Sequence, residues 1–217
     1  MKMKINFIIC FLTLFMICYK SYSKNFYYYV EGDIRRGYRI TGKGMKFKPD
    51  SNLYAISQED DLGRKRKITF FKNGKAVEIK YFNKFEKVII VEGKSFYSKN
   101  AWFQITYIYR DKGIDTYKKL VKEVDYRIYK NRDKSEIYYR EVTHFVLAKY
   151  NGKLWNIMKK REFFPRNKFH HYWIYIYPNP EAEKPSKILE YNVSNKLTRI
   201  GKYITKNGRD ILIFKGN

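Results

Sequence analysis

ITFFKNGKAVEIKY, residues Ile68–Tyr81, carries its own geometry. Asn73-Gly74 supplies the two central residues of a type I′ turn, because both positions need positive φ and these two side chains tolerate it. Counting outward from a two-residue turn pairs Phe71 with Ala76, Phe70 with Val77, Thr69 with Glu78 and Ile68 with Ile79. Side chains alternate along a strand, so Ile68, Phe70, Val77 and Ile79 are expected on one dry face. Lys67, Thr69, Glu78 and Lys80 are expected on the wet one. That pattern predicts an antiparallel sheet with one solvated face.

The same signal recurs. Asn151-Gly152 predicts a second hairpin, with Val146, Ala148, Trp155 and Ile157 on one face and Phe145, Leu147, Leu154 and Met158 on the other. Both faces are apolar, so this hairpin is expected to be the more buried. Asn207-Gly208 is a third turn, between strands over Leu197–Thr205 and Asp210–Phe214. Alternation or β-rich composition marks further strands at Asn25–Val30, Gly37–Ile40, Gly44–Lys48, Asn52–Ser57, Lys87–Val91, Ala101–Arg110, Glu136–Tyr150, His170–Tyr177 and Ile188–Val193, with Glu92-Gly93 as a turn. One segment changes period. Ile114, Tyr117, Leu120, Val121, Val124 and Ile128 recur at helical spacing, Asp115 or Thr116 can cap the start, and Lys118, Lys119 and Lys122 fall opposite. This predicts an amphipathic helix over Asp115–Lys130, with strand as the alternative for its second half. The fold class is therefore mainly β: an antiparallel sheet of successive hairpins with one helix near 115–130.

Residues 1–23 have the form of a secretory signal peptide: Lys2 and Lys4, then the apolar run Ile5–Cys18, then Ser21 and Ser23 at the −3 and −1 positions of a cleavage site. Residues 24–217 are read as one β-rich domain, with the proline-rich loop 178–186 as its best internal boundary. Export to the periplasm or beyond is the expected localisation. Both cysteines, Cys10 and Cys18, would leave with the leader, so neither disulfides nor thiolate metal ligands are expected in the mature chain. The formal net charge of the whole chain is +25. Attraction to a polyanion explains that charge, and so does a codon bias that also enriches Ile, Asn, Tyr and Phe.

The chain lacks the motifs HExxH and GxSxG, a phosphate-binding glycine loop and a cysteine nucleophile, so no catalytic residue, metal or cofactor is assigned. His170-His171 point to opposite faces of a strand and cannot jointly chelate in the usual way. Glu59-Asp60-Asp61 lacks the alternating ligands of a calcium loop and is read as a solvated turn. Binding chemistry is concentrated where cations adjoin aromatics. Arg64, Lys65 and Arg66 form one group. Lys159, Lys160, Arg161, Arg166 and Lys168 lead into Trp173, Tyr175 and Tyr177, three rings on one face of a strand. Cations attract anionic groups, and ring faces stack on sugars.

FFKNGKAVEIKYFN, AKYNGKLWNIMKK and GKYITKNGRDILIF each place an aromatic before Asn-Gly and a basic residue after it. Together with the run over residues 175–214, they resemble the MORN-related repeat proteins of bacteria. The resemblance implies hairpins stacked into a long sheet, structural tyrosines and glycines, and a binding role without enzymatic residues. The expected function is an exported, non-catalytic binding protein of the cell envelope. Its partner would be an envelope polyanion or a protein, with contact to a membrane surface also open; nucleic acid is not the expected partner. A half-barrel carrier of an apolar ligand and a hydrolase with a non-motif site are the alternatives.

Overall fold

The computed structural model describes residues 24–216 apart from 34–36, 97, 99, 111–119 and 207–208. The predicted leader and the Asn207-Gly208 turn lie outside the described residues. The strands are β1 (Lys24–Asp33), β2 (Gly37–Met45), β3 (Leu53–Glu59), β4 (Lys65–Lys72), β5 (Lys75–Phe82), β6 (Val88–Lys94) and β7 (Trp102–Tyr109) in the first half. The second half holds β8 (Val121–Tyr129), β9 (Ile137–Tyr150), β10 (Lys153–Pro165), β11 (His171–Ile176), β12 (Lys187–Asn192), β13 (Leu197–Lys206) and β14 (Arg209–Gly216). All fourteen join one antiparallel sheet in which every strand from β3 to β14 lies beside its neighbour in sequence. The order changes once, at the start, where β1 sits between β3 and the edge strand β2. Residues 46–52 therefore cross β1, on the face where Lys48 Nζ stands 4.8 Å from the centre of the Tyr54 ring.

The sheet rolls toward its other face. Lys80 on β5 donates a 2.6 Å hydrogen bond to the carbonyl of Tyr38 on β2, four strands away. In a flat sheet four strand spacings span about 19 Å, beyond the reach of a lysine. Tyr38 also stacks on Phe70 of β4, their centroids 5.9 Å apart. Register irregularities interrupt the pairings β1–β2, β3–β4, β4–β5 and β5–β6, and each bulge adds twist and bend. The rolled-in surface, here the inner face, holds the main core: Tyr28, Tyr38, Ala55, Ile68 and Phe70, flanked by Phe26, Val30 and Ile40.

The bulge in the 68–81 hairpin overturns the expected register. Phe71 does face Ala76, but Val77 is the extra residue, so Phe70 faces Glu78, Thr69 faces Ile79 and Ile68 faces Lys80. Glu78 and Lys80 move to the inner face and Ile79 moves out, while Val77, the extra residue, stays packed against the inner core. Gly93 is what admits the bulge. It pairs with Glu78, and a Cβ there would stand 2.6 Å from Val77 O and 3.0 Å from the Phe103 ring. Glu92-Gly93 is accordingly strand, not turn: the glycine marks a close backbone approach. Gly93→Ala is expected to destabilise by roughly 1–3 kcal/mol through forced backbone displacement, read as a lower urea midpoint with an unchanged m-value.

Three other expectations change. Residues 121–129 are strand β8, not helix, because Val124, Tyr126 and Ile128 alternate onto the inner face and pair with β7 and β9 on both sides. The first half of the predicted helix lies mostly outside the described residues, and no helix occurs among the residues described. Gly44–Lys48 is not a separate strand: β2 ends at Met45, and Phe47 is 81% exposed on the crossover. The Asn151-Gly152 hairpin pairs as expected, Trp155 with Ala148 and Ile157 with Val146, yet it is the less buried of the two. Val146 and Leu154 are exposed, whereas Ile68 and Phe70 are buried in the core beneath the rolled-in edge. Pairing continues on both sides of the loop 178–186, with Ile176 opposite Lys187.

Candidate binding groove on the inner face

Two cavities open on the inner face, and Tyr126 lines both. The first, about 360 Å³, lies where the rolled-in edge at Gly37 approaches β5 to β8, with Glu78, Lys80, Phe103, Ile105 and Tyr107 in its wall. The second, about 790 Å³, is bounded by the start of β7 and the β8–β9 hairpin, with Ile128, Asn131, Tyr138, Tyr139 and Glu141. Cavities of this size, apolar for the most part with a few convergent polar groups, are the usual form of a ligand site. Tyr126 and Tyr139 meet edge to face at 6.3 Å and 65°, so their rings form walls at a steep angle. The Tyr139 hydroxyl donates to Glu141 Oε2 at 3.0 Å, and Arg161 Nε stands 3.1 Å from Glu141 Oε1.

Glu78 is the unusual group. It is only 6% exposed, and the cation beside its Oε1 is Lys80 Nζ at 3.2 Å, which also donates to Tyr38 O. Burial raises the Glu78 pKa above the ordinary carboxylate range, and the nearby Lys80 charge offsets only part of that. A raised acid pKa means that the folded state favours the protonated form, so the destabilising effect grows as pH rises from the unfolded value through the folded one. Glu78→Leu removes that desolvation and is expected to stabilise the protein at pH 7, by less than the roughly 1–3 kcal/mol of an unsatisfied buried group because Lys80 loses its partner. The gain should shrink toward zero below about pH 4, and thermal melts of both proteins across pH test it. A variant less stable than wild type at pH 7 would mean that the ion pair with Lys80 outweighs the desolvation of Glu78.

The sequence-predicted cations do not share one surface. Arg64 and Arg66 close on Asp60, which accepts from Arg64 Nε at 2.9 Å and Arg66 Nη2 at 2.6 Å. The acidic turn is thus a clasp for the start of β4, and Lys65 is tied there through its backbone N–H to Glu86. Lys159 is exposed at a register shift of β10. Lys160 falls on the outer face, 2.6 Å from Glu162 and above the Tyr172 ring, while Arg161 falls on the inner face with Glu141. Arg166 and Lys168 are exposed in the β10–β11 turn.

Trp173 and Tyr175 do lie together with Arg161 on the inner face, and half-buried Tyr177 follows the end of β11. Trp173 is fastened there: its indole N–H donates to Glu190, and its ring packs against Phe163 and Phe214. Glu190 also accepts from Thr198 and from both Nε and Nη2 of Arg199. Burial works against ionisation of Glu190, but these donors bring its pKa down to about 2.

No family model and no curated protein matches this chain. Function must be argued from the site. His144 bridges Glu123 and Glu162 on the outer face, in the lining of neither cavity. Among the described residues no group of three or more His, Cys, Asp or Glu is placed to hold a metal ion. Sequence reasoning missed Glu78, Tyr107, Tyr126 and Tyr139. Tyr107 was visible as one residue of an alternating strand, but Glu78 was hidden by the bulge and Tyr126 by the helical spacing around it.

Proposed function

We propose that this is an exported, non-catalytic binding protein of the cell envelope whose contact surface is the inner face of the sheet. The observation that carries this is the pair of adjoining, aromatic-walled cavities that share Tyr126, the smaller of them bounded by the rolled-in edge at Gly37. The successive antiparallel hairpins fit a tandem-hairpin protein, and kinship with the MORN-related repeats is part of the proposal. Trp173, Tyr175 and Arg161 extend the same face beyond the groove, while the remaining lysines add a diffuse attraction to anionic envelope material.

The test is retention of the purified protein on immobilised envelope fractions across a salt series. Contact through the groove should survive physiological salt, where charges beyond about 8 Å are screened, and should fall at least about tenfold in Tyr126→Ala. Retention that disappears with salt, or that falls only when Lys159, Lys160 and Arg161 become glutamine, would move the contact to the charged surface.

A further inference from the structure

We infer that the groove binds a neutral glycan, with two adjoining sugar positions on either side of the Tyr126 ring. This rests on the binding function proposed above and names the ligand class of that site. Three features of the lining select a sugar over the other occupants of an aromatic cavity.

The first is the charged wall of the smaller cavity. Lys94 and the ion pair of Glu78 and Lys80, 3.2 Å apart, line it. An acyl chain filling that space would press hydrocarbon against charged side chains, which is costly, whereas hydroxyls can hydrogen-bond to them. Sites built to pair a hydroxyl discriminate strongly against ligands that lack one. The second is charge balance. Glu141 in the wall of the larger cavity opposes an anionic headgroup, and Lys130 in the same wall opposes a cationic one. A polar but uncharged ligand meets neither repulsion. The third is the division of the larger cavity. Tyr126, Tyr138 and Tyr139 offer ring faces to the C–H face of a pyranose, while Asn100 and Asn131 offer amides that both donate to and accept from hydroxyls. Each cavity thus combines ring surface with hydroxyl partners, and the shared ring places them next to one another.

The probes are cellohexaose, chitohexaose and maltohexaose, titrated calorimetrically into the full mature protein, with dodecanoate and dodecyltrimethylammonium as acyl and cationic controls. The titrations are made at about 1 M NaCl, where charge attraction is screened beyond about 3 Å. At least one hexasaccharide should bind with favourable enthalpy and the two amphiphiles should not. Tyr126→Ala should weaken that binding at least about tenfold. Glu78→Leu should do so by a similar factor while leaving the fold intact, which its melting temperature reports independently. Binding of either amphiphile, abolished by Tyr126→Ala, would overturn the glycan assignment but keep the groove as a binding site. Saccharide binding unaffected by both substitutions would overturn the assignment of the groove. If no hexasaccharide binds a protein shown to be folded, the glycan class is wrong.

Discussion

Phe70→Ala is expected to lower the unfolding free energy by about 3–5 kcal/mol, the usual range for deleting a buried phenylalanine ring. Phe70 is 1% exposed, and it joins three layers of the rolled end. It packs within the inner core beside Ile68 and Ala55, takes the Tyr38 ring at 5.9 Å from the edge strand, and lies under Lys80 Nζ at 4.9 Å. Its loss removes more than area: it removes the surface against which β2 rolls over. Phe71 is the control because it is one residue away on the opposite face. There it stacks on Tyr54 at 5.1 Å and 8°, half-buried, so Phe71→Ala should cost only about 1–2 kcal/mol. Urea unfolding of both variants decides the matter. Equal losses would mean that the sheet has no distinct inner face at this hairpin. A second readout is structural: Phe70→Ala should speed amide exchange in β2 as well as β4, since the Tyr38 contact fails with it.

The hairpin that holds Phe70 also shows what could be known in advance. Asn73-Gly74 was enough to establish the turn, the antiparallel pairing and the burial of Ile68 and Phe70, since each depends on local backbone chemistry and on the two-residue period. The bulge at Val77 was not legible, because it is selected by Gly93 on the next strand, where a Cβ would collide with Val77 O. One added residue reverses the face of everything after it, which is how Glu78 came to be expected in water. The same cause hid the groove. The smaller cavity is walled by the adjacent strands β5 to β8 and by Gly37 at the start of β2, which only the roll of the sheet brings to them. The β8 error had another origin. Val121, Val124 and Ile128 fit helical spacing, but Val124, Tyr126 and Ile128 fit a period of two equally well, and two flanking strands with unpaired backbone groups decide between them. For the basic residues the sequence showed type and proximity along the chain, not the alternation across the sheet that parts Lys160 from Arg161.

Asp125 at the centre of the outer face should give the second large effect. Its carboxylate accepts from Arg127, with Nη2 at 2.6 Å, and from Arg140, with Nε and Nη2 both at 3.0 Å. Arg127 and Arg140 are directly paired across β8 and β9, an arrangement of like charges that is unfavourable without a shared anion. Asp125→Ala is therefore expected to cost about 2–4 kcal/mol at pH 7, below the full penalty of an orphaned buried pair because each arginine side chain stays about a third exposed. The pH dependence has a definite sign. Burial alone would raise the Asp125 pKa, but hydrogen bonds from Arg127 and Arg140 outweigh it and hold the group below its ordinary range. Such a group contributes stability that is complete above the unfolded-state value of about 3.9 and is lost as pH falls through the folded-state value. The gap between wild type and Asp125→Ala should consequently be constant at neutral pH and close under acid conditions. Glu190 acts in the same direction from the C-terminal end, with a folded pKa of about 2. The decisive control replaces Asp125, Arg127 and Arg140 together by leucine. If the carboxylate matters as the neutraliser of two facing cations, the triple variant should recover most of what the single one loses, since an apolar patch leaves no charge unpaired. A single-variant cost under about 1 kcal/mol would instead assign these contacts the small worth of exposed surface pairs.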